Sequence, residues 1–135
     1  MDSTITIAGN LTRDPELKFT DSGMATVRFG VATSRKIKER ETTSFYEVIA
    51  FGKTAENVQA SLSKGNRVLV TGRLEVRNWE KQDGTKATTV EVVADEVAAD
   101  LKFATVTIMK NERKEFAKTS APSGKNFMQD FEEDF

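Results

Sequence analysis

The 135-residue chain contains no cysteine and no histidine. That excludes disulfides, thiolate and imidazole metal ligands, and any Cys or His nucleophile or base. A carboxylate-only Mg²⁺ site would need a cluster of acids, yet there is neither a DxD cluster nor a Gly-rich phosphate loop. No metal, no cofactor and no enzymatic activity are therefore expected. Long apolar runs are also missing: nothing approaches the roughly 18 residues of a membrane helix. Met1-Asp2-Ser3-Thr4 lacks the basic-then-apolar pattern of a secretory signal. With a mean hydropathy of −0.46, the expectation is a cytoplasmic chain with no membrane association.

A charge excess of one sign is missing too. The net charge is −1, which does not look like a nucleic-acid binder. The average conceals a segregation, because Asp130, Glu132, Glu133 and Asp134 place four of the 21 acids in the last six residues. Residues 1–129 then hold 20 bases against 17 acids, a net of +3. That excess is too small to carry a functional argument by itself.

What is present is alternation. Ile5 and Ile7 alternate with Thr4 and Thr6 until Gly9-Asn10, and Leu17 and Phe19 make a short further piece after Asp14-Pro15. Val27, Phe29 and Val31 alternate with Thr26, Arg28 and Gly30. These period-2 runs predict half-buried strands. Phe45 to Phe51 is apolar on both faces, with Tyr46, Val48 and Ala50 pointing one way and Phe45, Ile49 and Phe51 the other. One of those faces must meet something other than this subunit's core, either nucleic acid or a neighbouring subunit.

A helix follows, with Thr54 as the expected N-cap, Val58 and Leu62 on one face, and Gly65 as the expected left-handed C-terminal residue. The next strand, Asn66 to Lys81, puts Val68, Val70, Leu74 and Val76 inward and Leu69, Thr71, Arg73, Glu75, Arg77 and Trp79 outward. Asp83-Gly84 is a hairpin signal. The last strand, Ala87 to Val97, puts Thr88, Val90 and Val92 inward. Three strands, a helix and two strands make an all-β chain of OB-fold order, a partly open five-stranded barrel. The domain spans 1–102. Residues 103–110 read as one more strand, 111–126 as a flexible linker and 127–135 as an acidic tip with three phenylalanines.

Binding a single strand without reading its sequence needs rings for the bases and cations for the phosphates. Phe45, Phe51 and Trp79 are the candidate rings, expected to form one platform with Arg73 and Arg77. An aromatic on a strand more often belongs to a core, and Phe19 and Phe29 are assigned there. Trp79 fits that assignment worst, since it lies opposite Val76. Arg35 to Ser44 reads as a loop whose bases Arg35, Lys36, Lys38 and Arg40 outnumber Glu39 and Glu41. Lys81 and Lys86 flank the second tip. A solvated hairpin end is the usual fate of such runs, but their excess beside Phe45 favours phosphate contact.

Ile7-Ala8-Gly9-Asn10-Leu11 with Asp14-Pro15-Glu16, Val31-Ala32-Thr33-Ser34, Phe51-Gly52-Lys53, Lys64-Gly65, Val70-Thr71-Gly72-Arg73-Leu74 and Arg77-Asn78-Trp79 occur in that order. The set resembles the bacterial single-stranded-DNA-binding protein family, most closely its actinobacterial branch, over residues 4–102. The short tail also resembles a phage-encoded or accessory member. The resemblance implies sequence-independent binding and protection of single-stranded DNA by a nucleoid-associated homotetramer. It places stacking on Phe45, Phe51 and Trp79, and phosphate contact on Lys53, Lys64, Arg73 and Arg77. A tryptophan present in many members falls near Ile37 here, and the usual N-terminal bases are replaced by Asp2 and Ser3. In the actinobacterial branch an extra strand clasps a neighbouring subunit, and residues 103–110 look like it. The family's tip recruits replication, recombination and repair proteins. Here Asp130, Phe131, Glu132, Glu133, Asp134 and Phe135 keep its acids and final Phe but lack Ile-Pro. An OB domain for structured RNA, a primosomal accessory protein and a protein–protein module are the alternatives. For the tip they are a solubilising end or a short helix with Phe127, Phe131 and Phe135 on one stripe.

Overall fold

Alternating β-branched and polar residues leave one apolar face per strand, and that face must be covered. In the computed structural model, which describes residues 3–112, the strands cover one another by closing. They are β1 (Thr4–Leu11), β2 (Glu16–Phe19), β3 (Ala25–Ile37), β4 (Arg40–Phe51), β5 (Arg67–Glu80) and β6 (Lys86–Ala99), with one helix, α1 (Gly52–Ser61), between β4 and β5. The sheet order is β1-β5-β6-β4-β3-β2. Pairing of Asn10 with Ala32 and Leu11 with Val31 joins β1 back to β3. Five strands thus close a barrel of OB-fold type, while β2 lies outside it along β3. All neighbours are antiparallel except β4 and β6, which pair in parallel through 47–49 and 91–93.

Most of the expected core assembles, but Phe19 is no part of it: it is 63% exposed on β2, which lies outside the closed barrel with no core beneath it. Val27, Phe29, Val31, Val48, Ala50, Val68, Val70 and Val92 are buried in one cluster with Ile7, Leu11, Ala55 and Val58. Phe29 is the largest fully buried side chain. Closure needs two close backbone approaches. A Cβ on Gly9 would sit 2.2 Å from the Ala32 carbonyl oxygen, and one on Gly72 2.1 Å from that of Val93. Gly72 lies at the register shift in the β5–β6 ladder, where a bulge bends the strand around the barrel.

Several expectations are corrected. The helix starts at Gly52 rather than after Thr54, and its N-cap position, Phe51, makes no side-chain capping bond. Gly52 at φ 67 turns the chain directly from strand to helix, so no cap residue intervenes. Gly65 does adopt a positive φ of 92, but it lies beyond the helix end and its N–H donates to the Leu11 carbonyl. Arg35 to Ser44 is not a loop. β3 and β4 stay paired out to Ile37 and Arg40, leaving Lys38-Glu39 as a two-residue turn with Lys38 at φ 57.

Val76, Thr88 and Val90 are not inward either. Val76 and Val90 face each other across the ladder but are 59% and 47% exposed, and Thr88 is exposed as well. Their parity is that of the core face. However, the β5–β6 hairpin runs on past the barrel, so no core lies beneath them. Residues 103–110 form no strand within the single chain. Phe103 lies under Arg67 and Lys102, and Asn57 Nδ2 donates to Asn111 Oδ1 at 2.8 Å. The tip 127–135 and most of the 111–126 segment lie outside the described residues.

Candidate nucleic-acid interface

Parity along β3 and β4 sends Val27, Phe29, Val48 and Ala50 into the barrel, so Arg28, Ile49 and Phe51 must point out. On β5 and β6 the same rule turns Arg73, Glu75, Arg77, Glu91 and Val93 outward. Those residues, with Thr20 and Thr26, line one open groove of about 520 Å³ across the outer face of the sheet.

The middle of this groove is an ion cluster. Glu91 is the one buried charged residue among those described. Its Oε2 accepts from Arg28 Nη1 at 2.7 Å and its Oε1 from Arg77 Nη2 at 2.9 Å. Arg28 stands on β3 and Glu91 on β6, so the guanidinium reaches across β4 beside Ile49. Charge-assisted bonds of this kind offset the cost of burying the carboxylate. Close by, Arg73 pairs with Glu75 at 3.0 Å. Where β1 meets β3, Arg13 pairs with Glu47 at 2.6 Å. Lys53 faces Glu56 one turn along α1 at 3.8 Å.

The candidate rings are exposed but do not form one platform. Phe51 (43% exposed) lies at one end of the groove, and Phe45 (74%) lies six residues up the same strand and face, about 20 Å away at the rise of a β-strand. Trp79 (46%) stands on the β5–β6 arm opposite Ala87. Its indole Nε1 donates to Thr89 Oγ1 at 2.8 Å, which fixes the ring against the arm. The arrangement is thus a track with a ring at one end, arginines in the middle and two rings beyond, not a single aromatic patch.

The candidate cations divide by partner. Arg73, Arg77 and Lys53 each face a carboxylate. Arg35, Lys36, Lys38 and Arg40 on the β3–β4 arm, Lys81 and Lys86 on the β5–β6 arm, and Lys64 make no ion pair among the described residues. In register, Lys36 shares the Phe45 face while Arg35 and Arg40 take the other. Lys64 is set apart from the groove, its backbone N–H donating to Asp14 Oδ1 at 2.8 Å. Sequence reasoning put Ile49 on the outward face with Phe45 and Phe51 but named neither it, nor Arg28, nor Glu91 as a contact. The signal for the first two was their parity opposite Val27 and Ala50. Glu91 carried the signal of a lone acid between Val90 and Val92.

The single-strand binding protein family model matches residues 2–100. The chain belongs to that family. Its members are binding proteins rather than enzymes. The Mycobacterium leprae single-stranded DNA-binding protein is 45% identical over 119 residues, covering 83% of this chain and 71% of the relative. The corresponding proteins of Mycobacterium tuberculosis, at 44%, and Mycolicibacterium smegmatis, at 43%, cover 83% of the chain and 73% and 72% of their own lengths. These actinobacterial likenesses agree with the branch that the ordered motifs point to. Among the described residues no helix is long and apolar enough to cross a membrane.

Proposed function

We propose that this chain binds single-stranded DNA without sequence preference, along the outer face of its barrel. The observation that carries the reading is the track itself: exposed Phe51, Phe45 and Trp79 spaced along one sheet surface, with cations between and beyond them. Stacking tolerates any base, and cations follow a backbone common to all sequences. Arg28, Arg73 and Arg77 serve phosphates in the groove, while Lys36, Lys38, Lys81 and Lys86 extend the path onto the two arms. Membership of the single-strand binding family supports the same assignment.

The finer role is protection of single-stranded DNA and recruitment of replication, recombination and repair enzymes through the tip Asp130 to Phe135. The four acids repel phosphates, whereas a terminal Phe supplies a ring and an α-carboxylate for capture by a partner. The working state is a homotetramer. Exposed Leu101, Phe103, Ile108 and Met109 in one short segment favour a second copy as their cover, with 103–110 pairing as an added strand on the neighbour. Titrating dT oligomers, rU oligomers and duplex DNA of equal length against the full chain tests the central reading. Tight binding of dT with weak binding of duplex is expected, and duplex binding as tight as dT would overturn it.

A further inference from the structure

Two arginines that are ready to meet phosphate are already meeting an anion. Arg28 and Arg77 both donate to Glu91, which is buried on the groove floor between Ile49, Val93 and the β5 strand. The side chains of Arg28 and Arg77 remain 42% and 64% exposed, whereas that of Glu91 is only 10% exposed. Each guanidinium has five N–H donors and uses one on Glu91, so most of its donors still face the open groove. The carboxylate stays beneath, close enough to oppose any anion held above it.

We infer that Arg28, Glu91 and Arg77 form a single backbone-phosphate subsite in which Glu91 is an internal competitor that holds affinity down. This rests on the single-stranded-DNA reading above. One carboxylate cannot neutralise two guanidiniums, so the cluster presents a net charge of +1 to the strand instead of +2. The phosphate sits over the pair and shares the arginines with Glu91 without displacing it. The shape of the subsite is set by the buried carboxylate, and its strength is limited by the same group. A strand can therefore be held firmly by many such contacts and still be released stepwise.

The test uses the full chain and a labelled dT oligomer over a KCl series. Glu91→Gln keeps the side-chain shape and removes the charge. It should bind about tenfold tighter at low salt, the effect of one charge about 6 Å from a phosphate at an effective dielectric constant of about 40. Its log K against log salt should steepen by about 0.7, one further neutralised phosphate. Equal or weaker binding by a folded Glu91→Gln would overturn the inference. Should that variant not fold, Arg28→Gln and Arg77→Gln decide. Each single variant takes the cluster from +1 to 0, and the double variant takes it to −1 with Glu91 left to repel the strand, so the double should bind more weakly than either single one. A double variant that binds no more weakly than a single one would overturn the inference. The parent chain is the control: no dT binding by it would defeat the functional reading, whereas binding with an inert Glu91→Gln defeats only the subsite.

Discussion

Trp79 donates its indole N–H to Thr89 across the β5–β6 pair, at 2.8 Å. A half-exposed ring tethered by its polar edge keeps one π-face in a fixed place, which lowers the ordering cost of a base that stacks on it. As the only tryptophan in the chain, it reports on one site. Saturating poly(dT) should quench its emission, and Trp79→Ala should weaken binding by about 1–3 kcal/mol. Thr89→Val frees the ring without removing it and should cost less than the alanine change. An unaltered emission spectrum at saturation would rule Trp79 out.

The two remaining rings should act separately, because about 20 Å of strand divides them. Phe45→Ala and Phe51→Ala are each expected to cost about 1–3 kcal/mol, and their effects should add, as distant sites do. Fluorescence anisotropy with dT oligomers of increasing length checks this. The Phe45 effect should vanish on oligomers too short to span from Phe51. Equal sensitivity at every length would place both rings on one nucleotide site.

Cations without partners should count for more than cations already paired. Among the described residues Lys36 and Lys38 have no ion pair to give up on meeting phosphate, whereas Arg73 must loosen its hold on Glu75 at 3.0 Å. Lys36→Ala and Lys38→Ala should each lower the slope of log K against log salt by about 0.7 per lost phosphate contact. Arg73→Ala should lower it by less. A larger change at Arg73 than at either lysine would contradict this division.

Acid should loosen the contact between the start of β5 and the residue after β6. Asp100 accepts the Lys102 backbone N–H at 3.0 Å and Arg67 Nε at 2.7 Å. These bonds, the backbone one foremost, hold its carboxyl below its ordinary value. A depressed native pKa means that the unfolded chain takes up the proton first. The stability from Asp100 is therefore present above about pH 4, the ordinary Asp value, and is lost as pH falls through the lower native one. Asp100→Asn should be less stable at neutral pH and flatter in its acid limb, as measured by thermal melts between pH 2 and 7. Parallel limbs for the two proteins would remove Asp100 from the account.

Assembly and the tip can be read by comparing the full chain with one truncation. Barrel residues 1–102 hold 15 bases and 15 acids, so one copy has little net attraction for DNA, and several copies on one strand would supply avidity. Light scattering should give a tetramer for the full chain, and a stable monomer at micromolar concentration would refute that. Deleting 130–135 should leave DNA affinity equal or higher and abolish capture of replication and repair enzymes. Undiminished capture by the truncated chain would leave the tip as a solubilising end.

The strands and their inward faces were legible in the residues themselves. Period-2 runs around Ile7, Phe29, Val48 and Val70 can bury their apolar side chains only as sheet, and the absence of Cys and His removed most chemistry before any fold was considered. Local pattern also gave the outward parity of Arg77 and Trp79. It could not say how far the barrel extends. Val76 and Val90 have core parity but stand on an arm with nothing beneath them, because parity names a face and only the closed barrel decides whether that face is covered. Nor could it join Arg28 to Glu91, 63 residues apart. Their meeting depends on β4 pairing in parallel with β6 and antiparallel with β3, and a pairing between distant strands is settled by closing the barrel around Phe29, not by any residue's own preference.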